Sequence, residues 1–321
     1  MQGMVFIMMD REELLNKGFQ RGHLLTVKNE LYRDWIKKFI IDETKGDIGK
    51  GDITSNAVLR DGRVKAIVYS RSDGIIAGVE EVLLLLKDSG IKARIFMKDG
   101  SRVKKGSKIL LLEGKGKDIL KLERSVLDLL SRMSGIATLT NDLIRNVRGM
   151  IAIAPTRKTQ WRYLDKKAVY VGGGMTHRLA LWESILIKDN HLDALRKENV
   201  KDVIGTALER AWKNRRKGIF VEIETMNEEE AVRAAKKFKE LGAGSSSVPC
   251  LVMLDNMEPE KIRGIIGKMK RQGLLKNVLV EASGGINPSN IGEYAKSGAD
   301  VLSLGYLTTS SRALDMKLKI I

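Results

Sequence analysis

From Ile151 to the C-terminus the chain repeats one pattern, a short apolar run, a polar turn and then an amphipathic stretch, and few folds accept that repeat. Apolar runs at Ile151–Ala154, Ala168–Val171, Ile185–Ile187, Ile219–Ile223, Leu251–Leu254, Val278–Glu281 and Val301–Leu304 read as strands. Helical spacing follows at Asp193–Arg216, Glu228–Leu241, Pro259–Gln272 and Pro288–Ser297. Strand-then-helix units with short loops predict a parallel sheet, either closed or doubly wound. No G-x-G-x-x-G follows the first run, so dinucleotide binding has little support. The triplet Gly172–Gly174 is a turn signal and nothing more specific.

Upstream the text is mixed. An amphipathic helix is expected near Leu31–Ile41, with strands at Val64–Tyr69 and Lys92–Met97 and a turn from Asp99 feeding a further strand. This is a small α+β unit. Glu123–Arg148 follows as a long helix with an expected break near Gly135.

The position of the polar residues decides between a closed and an open sheet. Ile151–Ala154 runs into Arg157 and Lys158, and Ala168–Val171 leads to His177 and Arg178. Ile185–Ile187 runs into Lys188, Asp189 and His191. Ile219–Ile223 carries Glu222 and Glu224, and Leu251–Leu254 ends in Asp255 and Asn256. Groups able to do chemistry thus gather at one end of the strands, where the loops of a (β/α) barrel converge. The expected fold is an α/β chain with a (β/α) barrel. Because side chains alternate along a strand, Glu222 and Glu224 share one face, opposite Val221 and Ile223. If the apolar set packs under the helices, the carboxylates point into the barrel mouth. For Glu224 an ion pair with a rim lysine is an equally good reading.

The last units offer an anion site. Glu281-Ala-Ser283-Gly284-Gly285 ends one strand, and a helix is expected to open near Pro288; Gly305 follows the next strand. Glycines let backbone amides approach a phosphate, and a helix N-terminus adds its positive end.

Composition narrows the class. The chain has 321 residues, 43% hydrophobic and 30% charged, with four prolines and one cysteine, Cys250. That describes a globular protein without a disulfide framework, suited to a reducing cytoplasm. No stretch approaches the roughly 20 apolar residues of a membrane span. The first residues, MQGMVFIMMDREELL, lack a small-residue cleavage site and make a poor secretory signal. The net charge of +17 suits polyanionic partners, but only 5% of residues are aromatic and the basic residues are spread throughout. A basic stripe away from the barrel mouth would be the mark of a nucleic-acid binder.

The words LERSVLDLLSRMSGIAT, APTRKT, AVYVGGGMTHRLAL, ILIKDNH, VEIET, LVMLDN and VEASGGI occur in that order, between roughly Asp52 and Ile321. This series resembles the quinolinate phosphoribosyltransferase family, the carboxylating nicotinate-nucleotide pyrophosphorylases. The resemblance implies an N-terminal α+β open sandwich over 1–127, with a tail at 311–321 packing back on it, and an irregular (β/α) barrel over 128–310. It implies a pentosyltransferase of NAD biosynthesis that joins quinolinate to phosphoribosyl pyrophosphate with Mg2+, releasing pyrophosphate and carbon dioxide. It also implies a homodimer or higher homo-oligomer, with neither nucleic acid nor membrane as partner. Molybdenum-transport-associated relatives share the RKT stretch, but the intact IKDNH argues against them.

Under that resemblance the roles fall residue by residue. Quinolinate is a flat dianion, and guanidinium forks hold planar carboxylates well. Arg157, Arg178 and, from a neighbouring subunit, Arg124 would form the clamp, with Arg162, His177 and Lys158 beside them. Lys188 would meet the diphosphate or a substrate carboxylate. Glu222 and Asp255 would stand near the ribose and the magnesium, where negative charge stabilises an oxocarbenium-like centre. Ser283, Gly284, Gly285 and Gly305 would take the phosphate. His191 is expected to orient the loop after Lys188, and Trp182 reads as packing. His23, His177 and His191 show no zinc spacing. One loop and three single positions depart from the family pattern: Gln160-Trp161-Arg162 sits in a loop about two residues short, Thr309 replaces a common histidine, Tyr306 a small residue and Asp128 an asparagine. The short loop bears on the acceptor, and Thr309 and Tyr306 bear on the phosphate side.

Overall fold

The computed structural model describes residues 10–321; residues 1–9, on which the reading against a secretory signal rests, lie outside the described residues. The chain divides into two compact units. The first takes residues up to 21, 143–158 and 175–306, and the second takes 22–142, 159–174 and 307–321.

The second unit is built on a four-stranded antiparallel sheet in the order Met316–Ile320, Arg63–Ser70, Lys108–Lys115, Lys92–Ile95. Ala66, Val68 and Ser70 alternate inward along their strand, the period-2 burial expected of a sheet with one covered face. Helix Gly116–Asn146 runs without the expected break. Gly135 is there for close approach: a Cβ on it would sit 2.1 Å from the carbonyl oxygen of Arg312.

A second expectation fails in this unit. Ala168–Val171 is the end of helix Tyr163–Val171 and not a strand. Leu164 through Val169 are all buried, including Asp165, Lys166 and Lys167, so this helix shows no polar face. A short apolar run at the end of such a helix has no periodicity that separates it from a strand. Two of these charges are answered by residues of the same unit that are distant in sequence. Asp165 meets Arg132, and Lys167 meets Glu80 and Glu81.

The first unit carries six parallel strands in the order Ala152–Pro155, Val301–Leu304, Leu279–Ser283, Cys250–Asp255, Val221–Thr225, Ile185–Ile187. The first strand in sequence pairs with the last, as in a barrel, while the ladder stays open between Ala152–Pro155 and Ile185–Ile187. Helices Glu228–Glu240 and Pro259–Arg271 follow as expected, and 193–216 divides into Asp189–Lys197 and Val203–Lys213. The division has a local cause: Asn199 adopts φ +57°, and the Asp202 carboxylate caps the new helix by accepting from the Gly205 amide at 3.0 Å. Helix Arg11–Phe19, opened by an Asp10–Glu13 capping box, lays Leu15 and Phe19 against Phe220, Leu251, Leu279, Val301 and Ala154. These residues lie on one face of their strands and form an apolar floor. Among the described residues no helix is long and apolar enough to cross a membrane.

Candidate active site

Register places the acidic residues directly above that floor. Glu222 pairs across to Leu251 and Leu279, while Glu224, Met253, Glu281 and Val301 form the next row. Asp255, Ser283 and Ser303 form the row beyond. Alternation therefore puts Glu222, Glu224, Glu281 and Asp255 on the same face as the floor residues, with Val221 and Ile223 packed on the other.

The deepest polar group is a triad. His177 Nε2 lies 3.4 Å from Glu222 Oε2 and 3.2 Å from Glu281 Oε2, and neither carboxylate is exposed. Both Glu222 oxygens and Glu281 Oε2 lack a well-aligned hydrogen bond, whereas the other Glu281 oxygen accepts from Ser303 Oγ. Burial pushes the Glu222 carboxyl up to about 8, and Glu281 beside it pushes the same way while His177 opposes. The Glu281 carboxyl, although burial would raise it, is held below the usual carboxylate range by His177 and Ser303. Burial lowers the imidazole, but Glu281 and Glu222 outweigh it and raise His177 to about 9. The Arg178 amide donates to His177 Nδ1 at 2.7 Å, which opposes a second ring proton. In either charge state Nε2 carries a proton, and it faces the two carboxylates.

His177 is held on its remaining sides. Its backbone is in the left-handed region at φ +54°, and its ring meets Phe19 and Phe220 edge-on at 4.6 and 5.4 Å. The preceding Thr176 donates to the Phe19 carbonyl through its amide and its hydroxyl, at 2.9 and 2.7 Å.

The next residue carries the basic side of the site. Arg178 is 4% exposed and donates through Nη1 to the Ser184 carbonyl at 3.1 Å, while its buried Nε has no protein acceptor. Burial lowers its pKa and the charge of Arg157 lowers it further, so two guanidiniums of this unit are held near one another. Lys158 lies with its stem over Gly305, where an added Cβ would come within 3.2 Å of its Cδ. The lysine of the RKT stretch thus touches the glycine expected at the phosphate.

Lys188 pairs with Glu224 at 3.1 Å. Burial raises the Glu224 carboxyl and Lys188 draws it back. Both sequence readings of Glu224 hold, since it sits on the interior face and also pairs with a rim lysine. His191 Nδ1 accepts the Lys188 amide at 2.9 Å and so closes the start of helix Asp189–Lys197, the orienting role expected of it.

The glycine turn departs from expectation at its end. Gly284 and Gly285 adopt φ +89° and +65°, and a Cβ on Gly284 would stand 2.3 Å from Asn256 Oδ1. The side chains of Asn287 and Asn290 tie the turn back to the Gly285 carbonyl at 3.2 and 3.1 Å. The helix begins only at Ile291 and has five residues, because these asparagine bonds hold 287–290 as turns. Backbone amides, and not a helix end at Pro288, are what this segment offers an anion.

The remaining expected residues belong to the other unit. Arg124 and Asp128 form an exposed i,i+4 pair at 3.2 Å on helix Gly116–Asn146. Arg162, exposed and at φ +45°, precedes helix Tyr163–Val171. The Gln160–Arg162 loop is anchored by Asp165, whose carboxylate accepts from the Gln160 and Trp161 amides at 2.9 and 3.1 Å. Trp182 corrects its reading as packing: it is 66% exposed, beside Leu181 at 68%. The turn carrying both is fixed by Glu183, which accepts from the Leu179 amide and pairs with Arg21 at 3.0 Å.

Sequence reasoning missed Glu281 and Asp165. Glu281 precedes Ser283 by two residues on the same strand, so the pleating argument used for Glu222 would have turned it inward. Asp165 gave no comparable signal, since the helix that carries it was not expected and its end, Ala168–Val171, read as a strand.

Comparisons with known proteins agree with this geometry. The family model described as the quinolinate phosphoribosyl transferase C-terminal domain matches residues 136–319, and the N-terminal domain of the same family matches 52–134. A Methanothermobacter thermautotrophicus protein, named "Probable nicotinate-nucleotide pyrophosphorylase (carboxylating)", is 40% identical over 86% of this chain and 95% of its own. A Mycobacterium leprae protein, named nicotinate-nucleotide pyrophosphorylase (carboxylating), is 33% identical over 90% of this chain and 96% of its own. Among solved structures, the nicotinate-nucleotide pyrophosphorylase from Francisella tularensis superposes with a TM-score of 0.77 at 28% identity, covering 90% of this chain and 96% of the other.

Proposed function

The chain belongs to the quinolinate phosphoribosyltransferase family, and from that premise we propose that it transfers phosphoribosyl from phosphoribosyl pyrophosphate to quinolinate with loss of carbon dioxide, giving nicotinate mononucleotide and pyrophosphate. One observation carries the acceptor side. The Arg178 Nε is buried without a protein acceptor, and burial, with the charge of Arg157 adding to it, lowers the Arg178 pKa. A carboxylate bridging the two would relieve their repulsion and supply the missing acceptor. Each charge-assisted hydrogen bond contributes about 1.5–3 kcal/mol net.

Lys158 over Gly305, with the amides of Gly284 and Gly285, takes the phosphate side. Glu222 lies on the interior face in the row of Leu251 and Leu279, and Asp255 lies two rows further along it; Asp255, and Glu222 in its ionised form, would stabilise the positive charge that develops at the ribose carbon. Magnesium fits here as an ion held mainly by the diphosphate, since its preference is for oxygen ligands and retained waters. The orphaned Glu222 oxygens and the half-exposed Asp255 carboxylate are the oxygens this chain would offer it. Bound there, the ion would neutralise charge on the departing pyrophosphate. Lys188 orients a carboxylate of the acceptor from its place beside Glu224. Arg124, exposed on the other unit, is free to reach the site of a neighbouring subunit in a homodimer on this reading, and a single cysteine without a disulfide framework suits a reaction in the cytoplasm.

The deciding assay supplies quinolinate, phosphoribosyl pyrophosphate and magnesium and measures nicotinate mononucleotide and carbon dioxide. Folded protein that ignores quinolinate and consumes nicotinate would overturn the assignment.

A further inference from the structure

We propose that Asn256 is a positioning residue that fixes the Asp255 carboxylate against the glycine turn at Gly284. The inference rests on Asp255 facing the ribose and on that turn taking the phosphate.

Asp255 ends its strand, and Asn256 leaves it at φ +51°, in the left-handed region that asparagine tolerates better than most side chains. Neighbouring side chains of an extended strand point to opposite faces, so in a strand these two could not meet. The left-handed backbone turns the Asn256 side chain back, and its Nδ2 donates to Asp255 Oδ2. Charge sets which way that amide faces, because its oxygen against the carboxylate would oppose two acceptors. Among the described residues no other donor reaches the Asp255 side chain. The amide therefore decides where this carboxylate points.

Asn256 is itself held from the neighbouring strand. Its backbone N–H donates to the Ser283 carbonyl at 2.9 Å, directly after the Asp255–Ser283 pair of the parallel ladder. Gly284 lies against the side chain, where a Cβ would stand 2.3 Å from Oδ1 and 2.6 Å from Cγ. That approach needs a residue without a Cβ. One side chain thus touches the carboxylate of the ribose side and backs onto the turn of the phosphate side. The separation of the two is set before a ligand arrives. A ribose 5-phosphate unit presents its ring and its phosphate a fixed distance apart, and a site spaced in advance binds it without the cost of ordering its own parts.

Asn256→Gly is the sharpest test, because glycine keeps the left-handed backbone and the Ser283 bond and removes the amide. Calorimetry with Mg2+ should show phosphoribosyl pyrophosphate bound about tenfold more weakly, the loss of one charge-assisted hydrogen bond, with quinolinate changed less than about threefold. In steady state kcat should fall about tenfold, since a carboxylate out of place no longer meets the charge that develops at the ribose carbon. In an Asp255→Ala background the same change should weaken phosphoribosyl pyrophosphate less than about twofold, because an amide that acts through the carboxylate then has nothing to act on. Asn256→Ala separates strain from positioning. With a Cβ at φ +51° it should melt below Asn256→Gly while binding phosphoribosyl pyrophosphate no better.

The calorimetric arm requires no turnover, so it reads the positioning even if the acceptor is not quinolinate. Folded Asn256→Gly that binds phosphoribosyl pyrophosphate as tightly as the wild type would overturn the proposal. So would a loss that persists in full beside Asp255→Ala, or equal losses for phosphoribosyl pyrophosphate and quinolinate.

Discussion

The Gln160–Arg162 loop, whose sequence reads as shorter than the family pattern, is shaped by Asp165. Asp165 is fully buried and its carboxylate accepts four hydrogen bonds: Arg132 Nε at 2.9 Å, Arg132 Nη2 at 2.8 Å, and the amides of Gln160 and Trp161 at 2.9 and 3.1 Å. Three of these converge on Oδ2 and one on Oδ1. Asp165→Asn can put its amide oxygen in the Oδ2 place, which leaves its NH2 facing Arg132 Nε–H, two donors opposed. The charge is lost as well, so the bonds that survive fall from the charge-assisted class to the neutral one, about 0.5–1.5 kcal/mol each.

Removing one partner of a buried ion pair costs about 3–5 kcal/mol. Because the Arg132 side chain is 18% exposed, water recovers part of its solvation, and the lower end, about 3 kcal/mol, is expected. Urea unfolding of the full chain measures it, and a cycle with Arg132→Met should return a coupling of about 1.5 kcal/mol or more. Hydrogen exchange gives the local half of the test: the Gln160 and Trp161 amides should lose protection together in Asp165→Asn. The Arg132 guanidinium, 5.2 Å from the Trp161 ring centroid, should release that ring at the same time. A loss below about 1 kcal/mol with both amides still protected would show that the loop is held by something other than this carboxylate.

Three further outcomes follow from named contacts. Gly284→Ala places a Cβ 2.3 Å from Asn256 Oδ1 at φ +89°, so calorimetry should show phosphoribosyl pyrophosphate bound at least about tenfold more weakly with quinolinate little changed; equal losses would refute the phosphate role. Arg157→Ala should weaken quinolinate about tenfold or more and phosphoribosyl pyrophosphate far less, again read by calorimetry. Stability should fall as pH rises from about 6 to 9. Folding holds the Glu222 carboxyl up to about 8 and His177 up to about 9, so in that window the folded state binds more protons than the unfolded one. The slope is at most about 1.4 kcal/mol per pH unit for each proton, and Glu222→Gln should flatten it; a rising urea midpoint over the same range would contradict the sign.

The legible part of the fold was the part in which polar and apolar residues alternate, even where both faces are buried. Strand Val221–Thr225 announced itself because Glu222 and Glu224 alternate with Val221 and Ile223, and register then carried that face across to Met253 and Glu281. Helix Tyr163–Val171 was not legible, because tertiary partners bury Asp165, Lys166 and Lys167 and erase the polar face that marks a helix. Gly135 misled for a related reason, since a residue short of a side chain reads as a helix break until the Arg312 carbonyl lying against it is known. Each failure has the same origin. Sequence spacing reports which residues share a face of one element, and it carries no record of what another element brings to that face.

His177 shows the limit in the site itself. Residue type and its place beside Arg178 suggested a hand on the substrate, and both remain as read. Its direction was decided by three groups far away in sequence, Phe19, Phe220 and Glu281, which enclose the ring from below and from the side. Which of its atoms a partner inside the protein has engaged is a second thing that sequence spacing does not record. At Arg178 one nitrogen donates to the Ser184 carbonyl and the buried Nε is left without a protein acceptor, so a count of unspent hydrogen-bonding atoms finds there a capacity that residue type alone does not show.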